Sequence, residues 1–577
     1  MTKPNDSSRR DFIRNSTLAA GTAMVAGTAA VAAEAKGAKT KWDREADIVI
    51  AGSGAAALAA AITAVTAGAS VILLEKASAA GGTTAKSDGG FWIPNNRHMR
   101  AKGIADPRDH AIDYMVRYSY PQLYDPNRPR HGVDEAEHAL IATFYDEAAP
   151  AVESLEKAGA LDTLMFEIPD YFEHAPQNKA PRGRILFAKT QAGGIGSGAE
   201  IVRRLKSWLT AHDTKVLTRH RVSAILRGEA GEAIGVEATT PAGPVRFRAR
   251  KGVIFATGGY THDPKLMLNF QPGPVYGGCA VPTAEGDFVR LGIESGAMLG
   301  NMWSAWRGQA LLDQIAESRS VPRCVWQPPG DSMVVVNKYG RRVMNEKRNY
   351  HDRTRMHFVW DPVACEYANQ AMFMVYDQRS AELFAGNFPI PDSGASAPWT
   401  VTAPTIAELG KAIQARLDQL APTVGQLRLA SDFTAGLADQ IARFDADAAK
   451  GVDSQFERGR HPYDSEWHKG YTSIARSGTR WKVPDRPNIT LYPFQKNGPY
   501  HAVILVAATL DTNGGPVIDP KARVIDIHGR PIAGLYGAGN CIAAPCGPAY
   551  WGGGATIGLA LTYGVIAGRE AAARTAA

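Results

Sequence analysis

Ala46 to Thr84 reads ADIVIAGSGAAALAAAITAVTAGASVILLEKASAAGGTT, and this stretch decides the fold. The β-branched run Ile48-Val49-Ile50 predicts a buried strand, the turn Gly52-Ser53-Gly54-Ala55-Ala56-Ala57 follows it, and an Ala-rich amphipathic stretch predicts a helix to about Ala67. A second apolar strand, Val71 to Leu74, ends at Glu75. This is a G-x-G-x-x-[GA] fingerprint in the strand, turn, helix and strand context that gives it meaning. Gly52 permits the tight turn, Gly54 lets the backbone approach a pyrophosphate, and Ala57 lets helix and strand pack closely, while the free N–H groups of the first helical turn face the phosphates. Glu75 follows Gly52 at close to the spacing of about 20 residues expected of the carboxylate that binds a ribose hydroxyl. Gly52, Ser53, Gly54, Ala55, Ala56, Glu75 and Lys76 are the expected dinucleotide contacts.

The fingerprint alone does not choose between NAD and FAD. Gly81-Gly82-Thr83-Thr84, arriving just after the acidic residue, resembles the second phosphate contact of the FAD-binding glutathione reductase-like families, and the resemblance implies non-covalent FAD. Gly82, Thr83 and Thr84 belong to that contact, and Gly89-Gly90 is a Gly-rich turn into an extended segment. Val253 to Gly259 is a strand closing in Ala256-Thr257-Gly258-Gly259, which resembles the motif where FAD proteins pass back beneath the cofactor. Ile532 to Asn540 ends in Gly539-Asn540, like the strand beside the ribityl chain. A last helix, about Ala555 to Ala572, is expected to point its N-terminus, with Thr556 and Ile557, at the isoalloxazine.

A chain of 577 residues, 45% apolar and 21% charged, exceeds one ordinary domain and can bury a large core. The expected fold class is α/β: a Rossmann-like FAD-binding domain of glutathione reductase type, residues 43–307 and 498–577, with an inserted α+β substrate-capping domain, residues 308–497. Helical patterning runs from Asp106 to Gly159 and from Thr405 to Lys450, and alternating apolar residues from Val216 to Ala256 predict a β-meander. The net charge of +7 is dispersed, so no nucleic-acid partner is expected. Ser8-Arg9-Arg10-Asp11-Phe12-Ile13-Arg14, the uncharged stretch Asn15 to Ala33, and Ala33-Glu34-Ala35 read as a twin-arginine export signal over residues 1–35. Its Ala- and Gly-rich middle is too weakly apolar for a transmembrane anchor. The signal implies the twin-arginine translocase as a partner and a periplasmic location, free or at the membrane. Five cysteines, odd in number, imply no disulfide framework, and no Cys/His cluster has metal-ligand spacing, so no metal is expected. Cys541 and Cys546 read as small buried side chains.

Two clusters look like reaction chemistry: Asn337 to Tyr350, NKYGRRVMNEKRNY, and Gly547 to Gly558, GPAYWGGGATIG. At these residues the chain resembles the 3-ketosteroid Δ1-dehydrogenases, flavoproteins of the fumarate reductase superfamily. Gly81 to Asn96 is similar to their extended flavin motif, N-x-x-G-R-R-x-x-N-E-x-x-x-Y to the segment bearing their base tyrosine, and Tyr-x-G-x-G to their carbonyl-binding turn. The resemblance implies that Tyr350 is the general base, that Tyr550 and the Gly554 amide bind a 3-keto oxygen, and that the C1 hydride passes to flavin N5. It also implies an assisting tyrosine, for which Tyr171 in Ile168-Pro169-Asp170-Tyr171-Phe172 is the candidate, although Phe172 and His174 depart from the family pattern there. A tyrosine acts as a base only if its pKa of about 10 is lowered or it is coupled to another group. Lys347, Arg348, His351 and Arg353 are the local cations that could do so. The substrate implied is a small hydrophobic ketone, and the electron acceptor a quinone or a periplasmic redox protein. The alternatives are a reductase of a dicarboxylate or other enoate on the same fold, kept open by Arg341, Arg342 and Arg353, and a Δ4-type ketosteroid or other cyclic-ketone dehydrogenase using the same parts. The uncharged turn Gly547 to Gly554 favours a ketone. A flavin carrier with a degenerate site is a third reading, disfavoured by the two intact tyrosine clusters.

Overall fold

The computed structural model of the chain describes residues 41–474 and 481–576. The expected export signal lies outside the described residues. Ile48, Val49 and Ile50 are wholly buried because the Arg44–Ala51 strand is an inner strand, paired in parallel with Val71–Glu75 on one side and Gly243–Phe255 on the other. Parallel strands covered on both faces read as unbroken apolar runs, as this one does. The sheet order is Arg523–Ile525, Pro531–Gly537, Gly243–Phe255, Arg44–Ala51, Val71–Glu75, Val216–Thr218, and the expected meander adds the Arg221–Arg227 and Ala233–Thr240 hairpin against the first half of Gly243–Phe255.

The helix after the fingerprint, Ala55–Thr66, is buried on nearly every face rather than amphipathic. It is sandwiched between the sheet and the last helix, Ala555–Ala573. The two backbones nearly touch: a Cβ on Gly564 would stand 2.4 Å from the Ala56 carbonyl oxygen, and one on Gly568 2.3 Å from that of Ala60. Only small side chains on both helices allow this approach, which explains the alanines of the fingerprint helix. The Asp106 to Gly159 pattern becomes two helices, Arg108–Ser119 and Glu135–Lys157, and the Thr405 to Lys450 stretch becomes Ile406–Val424 and Phe433–Lys450, broken after Pro422 at Gly425.

A second, antiparallel sheet runs in the order Ala305–Leu311, Tyr500–Thr512, Ala371–Asp377, Met333–Val336, with Val401–Ala403 also on Tyr500–Thr512. The boundary expected at 307/308 runs through one of its strands. The segment after residue 498, expected to resume the first domain, is its longest strand, so this sheet draws on both sides of the expected divisions. Beneath it lies a wholly buried ionic knot: Arg342 donates to Glu346 at 2.7 and 2.8 Å and to Asp453 at 2.7 and 3.0 Å. Burying charge is tolerable only when every partner is present. The R-x-x-x-E spacing thus fixes the segment that carries Tyr350. No described helix is long and apolar enough to cross a membrane.

Candidate active site

Three tyrosines far apart in the chain meet at one point. The hydroxyls of Tyr171 and Tyr350 are 2.5 Å apart, and that of Tyr350 is 3.2 Å from that of Tyr550. All three rings are buried and pack edge to face, with centroids 5.4 to 5.7 Å apart. Tyr350 opens the helix Tyr350–Arg355, which is capped by the Asn349 side chain accepting from the Asp352 amide. Tyr550 sits in the turn before the last helix, and Tyr171 in the loop that follows the Thr163–Phe166 strand. Burial pushes the Tyr550 phenol up, opposed by the Thr556 and Tyr350 hydroxyls and the Gly554 amide. Gly554 is the N-cap of the last helix with φ 93°, and a Cβ there would stand 2.4 Å from the Gly90 backbone, so that turn accepts only glycine.

The four nearby cations serve the scaffold. Lys347 Nζ donates to the Pro328 and Gly330 carbonyls at 2.5 and 2.7 Å, and its burial holds the amine well below its usual pKa. Arg348 holds the backbone carbonyl of Tyr171 at 2.8 Å and Asp464 at 3.3 Å. Arg353 donates to the carbonyls of Glu346, Arg348 and Trp326 and to Gln327. His351 accepts from the Arg307 amide at Nδ1 and donates from Nε2 to the Pro548 carbonyl, packing edge-on to Tyr550 at 5.7 Å. Arg342 is spent in the ionic knot and Arg341 is exposed.

Burial holds His351 at about 4, and His357 also at about 4, against an ordinary value near 6.5. Both are neutral in the fold, so between pH 6.5 and 4 the unfolded chain takes up protons that the folded chain refuses, and stability falls as pH falls through that window. Each histidine accounts for about 3 kcal/mol over its whole span. The melting temperature is therefore expected to drop steadily between about pH 6.5 and pH 4.5; a flat profile by calorimetry would contradict both burials.

The tyrosines open onto one continuous cavity of about 820 Å³. All of the expected cofactor residues line it: Gly52, Ser53, Gly54, Ala55, Ala56, Glu75, Lys76, Gly82, Thr83, Thr84, Gly89, Gly90, Ala256, Thr257, Gly258, Gly539, Asn540, Thr556 and Ile557, together with Tyr171, Tyr350, Tyr550 and Gly554. Ser53 donates to Glu75 at 2.5 Å and accepts from the Gly81 amide at 2.9 Å, tying the two glycine turns together. Lys76 is ion-paired with Glu285 and Asp287. Thr84 Oγ1 accepts from the Ala55 amide at the start of the fingerprint helix. The donor set fits FAD: the buried hydroxyls of Thr257 and Thr556 line the space a flavin would fill. Gly52, with φ 110°, would place a Cβ 2.2 Å from the Ala256 carbonyl oxygen, so the two FAD-facing turns are in contact through its missing side chain.

Several residues in or around the site stand in no motif that singles them out in the sequence. Asp511, on the second sheet, accepts from the Gly259 amide at 2.9 Å and faces Asn540 at 3.3 Å. Trp306 donates to Asn540 at 2.9 Å and lies 4.8 Å from the Tyr550 ring. Tyr463 and Trp467 close round Tyr171 at 5.7 and 5.8 Å, and their i, i+4 spacing in the helix Pro462–Ile474 was the one legible hint. Trp551 packs on Trp92 and Phe144. Burial pushes the Cys541 thiol up to about 11, and that of Cys546 further still. Glu173, His174 and His461 place one ligand atom each within 4.8 Å of one another, beside the Arg348 guanidinium.

Comparison with known proteins gives a consistent picture. The model of a family described as FAD binding domain matches residues 47–557. A 4-oxocyclohexanecarboxylate 2-dehydrogenase of Sinomonas cyclohexanicum is 30% identical over 92% of this chain and 93% of its own length. A 3-oxosteroid 1-dehydrogenase of Mycobacterium tuberculosis is 28% identical over 91% of this chain and 98% of its own. Among solved structures, a 3-ketosteroid Δ1-dehydrogenase from Sterolibacterium denitrificans in complex with 1,4-androstadiene-3,17-dione superposes with a TM-score of 0.76 at 22% identity, covering 92% of this chain and 100% of that one, which is a likeness of fold.

Proposed function

The chain belongs to the FAD binding domain family and is an FAD-dependent dehydrogenase of the 3-ketosteroid dehydrogenase kind, and on that premise we propose that it desaturates a cyclic ketone beside its carbonyl, most specifically between C1 and C2 of a 3-ketosteroid. The observation that carries this reading is the contact of three buried hydroxyls, Tyr171, Tyr350 and Tyr550, beside Gly554 in an FAD-lined cavity. Tyr550 and the Gly554 amide hold the oxo oxygen, where removal of a proton from C2 builds enolate charge. Donors preorganised at such an oxygen are worth about 10²- to 10³-fold each. Tyr350 takes the C2 proton. Tyr171 donates to the Tyr350 oxygen, and a hydrogen bond donated to a phenolate favours the charged form and so lowers the proton affinity of its neighbour. The rings of Trp306, Tyr463 and Trp467 keep water from the three hydroxyls. Bound FAD supplies the hydride acceptor.

A dicarboxylate substrate would need free cations beside the reacting atoms. Arg342 and Arg353 are fully engaged elsewhere, and Arg341 is exposed, which speaks for the ketone. The relative named for an oxocyclohexanecarboxylate favours a second reading, a smaller cyclic ketone held by the same donors. Export through the twin-arginine route, inferred from Arg9 and Arg10, would place electron transfer to a quinone or a redox protein in the periplasm. The test is anaerobic bleaching of the yellow protein. We expect loss of flavin absorbance with androst-4-ene-3,17-dione and none with succinate; bleaching by succinate alone would reverse the assignment.

A further inference from the structure

The chemistry above is confined to one end of the cavity and leaves two charged side chains on its wall without a role. Asp88 follows the Gly82–Lys86 helix, and Arg323 lies on the loop between the Leu312–Glu317 helix and the Met333–Val336 strand; both line the cavity. The other basic residues that line it are engaged. Lys76 is ion-paired with Glu285 and Asp287. Lys86 donates to the Val321 carbonyl at 2.8 Å and to Ser320 at 3.2 Å, and His220 Nδ1 donates to the Thr218 carbonyl at 2.7 Å. Arg323 is exposed at the wall, and its guanidinium carbon lies 6.0 Å from the centre of the Phe388 ring. Asp88 is near enough to feel that charge without being ion-paired with it, and burial pushes the Asp88 carboxyl up.

A guanidinium with no ion-pair partner, on a cavity wall that also carries Val325, Trp326, Phe388 and Trp399, is a fork that matches a carboxylate. The loop that carries it is fastened to the reacting end. Arg353, on the same helix as Tyr350, binds the Trp326 carbonyl at 3.0 Å and Gln327 at 2.7 Å. Gln327 lies four positions after Arg323, so their Cα atoms are at most about 14 Å apart even if the loop is fully extended.

We propose that Arg323 binds a carboxylate carried by the substrate at the end away from its ketone, so that the substrate is an oxo acid gripped at both ends. This rests on the ketone reading of the tyrosine end and adds to it the class of substrate. The distal charge also reconciles an uncharged reacting corner with a cavity that is not wholly apolar.

The test compares kcat/KM for two acid and ester pairs with the flavin-loaded protein: 4-oxocyclohexane-1-carboxylate and its methyl ester, and 3-oxochol-4-en-24-oate and its methyl ester. A charge-assisted contact predicts that the wild type prefers the acid of at least one pair by about 10- to 100-fold. In Arg323→Gln that preference collapses to within about threefold, chiefly through KM, and Arg323→Lys restores part of it. Asp88→Asn tightens the acid, because it removes a competing negative charge. If Asp88 and Arg323 instead form a latch, Asp88→Asn weakens acid and ester alike and the proposal falls. An acid preference that survives Arg323→Gln, or equal use of acid and ester by the wild type, also overturns it while leaving the ketone reading intact. Turnover of none of the four probes, with bleaching by no ketone, would remove the ketone reading and this proposal together.

Discussion

Tyr350→Phe is expected to lower flavin reduction by a bleaching ketone by about 10²- to 10⁴-fold, the range carried by a positioned general base. The protein should stay yellow and melt near the wild-type temperature, because phenylalanine fills the same buried volume. The loss should lie in kcat, since the ketone oxygen would still meet Tyr550 and Gly554. Tyr550→Phe removes one donor to that oxygen and should cost about 10²- to 10³-fold. Stopped-flow reduction under anaerobic conditions separates the two variants. If Tyr350→Phe reduced its flavin as fast as the wild type, the proton would have to leave by another route, and the contact with Tyr171 at 2.5 Å would be architecture only.

The second large effect is expected at Gly52. Gly52→Ala combines a left-handed backbone, φ 110°, with a Cβ placed 2.2 Å from the Ala256 carbonyl oxygen. Neither can relax without separating the fingerprint turn from the strand end that carries Thr257. Affinity for FAD should fall by about 100-fold or more, since strained backbone of this kind alone costs about 1–3 kcal/mol and the steric conflict adds to it. The purified variant should be pale, with a low ratio of 450 nm to 280 nm absorbance. Gly68→Ala is the control. Its φ is also positive, at 81°, but a Cβ there meets nothing within 4 Å, so it should lose only about 1–2 kcal/mol of stability and remain yellow. Equal colour in Gly52→Ala and wild type would contradict the placement of the dinucleotide.

The parts of this fold written in local pattern were legible in advance. The first strand, turn, helix and strand announced themselves because each element depends on residues within a few positions of itself, and so did the last helix and the meander. The second sheet was not legible, although Tyr500–Thr512 is buried at all but one position. Its identity comes from pairing with Ala305–Leu311, about 200 residues earlier, and no local periodicity encodes a partner at that distance. The same reason governs the site. Tyr350 and Tyr550 stand in motifs that can be recognised alone, whereas Tyr463 and Trp467 matter only because their helix comes to rest on Tyr171, some 300 positions away in sequence. The four cations near Tyr350 were candidates to tune its acidity. In the fold His351 is neutral, and Lys347, Arg348 and Arg353 grip carbonyls and, for Arg348, the Asp464 carboxylate, a role that depends on where loops end and that a list of charges cannot convey.

The contact of the Ala55–Thr66 helix with Ala555–Ala573 has a consequence for how the molecule comes into being. The first and last helices of the described chain share one seam, with Gly564 and Gly568 laid on Ala56 and Ala60. A ribosome delivers the phosphate-binding turn some 500 residues before the other half of that seam. The growing chain therefore has no finished nest for its coenzyme until the Ala555–Ala573 helix has been made, and unwinding of that helix would empty a pocket whose signature is read around Gly52.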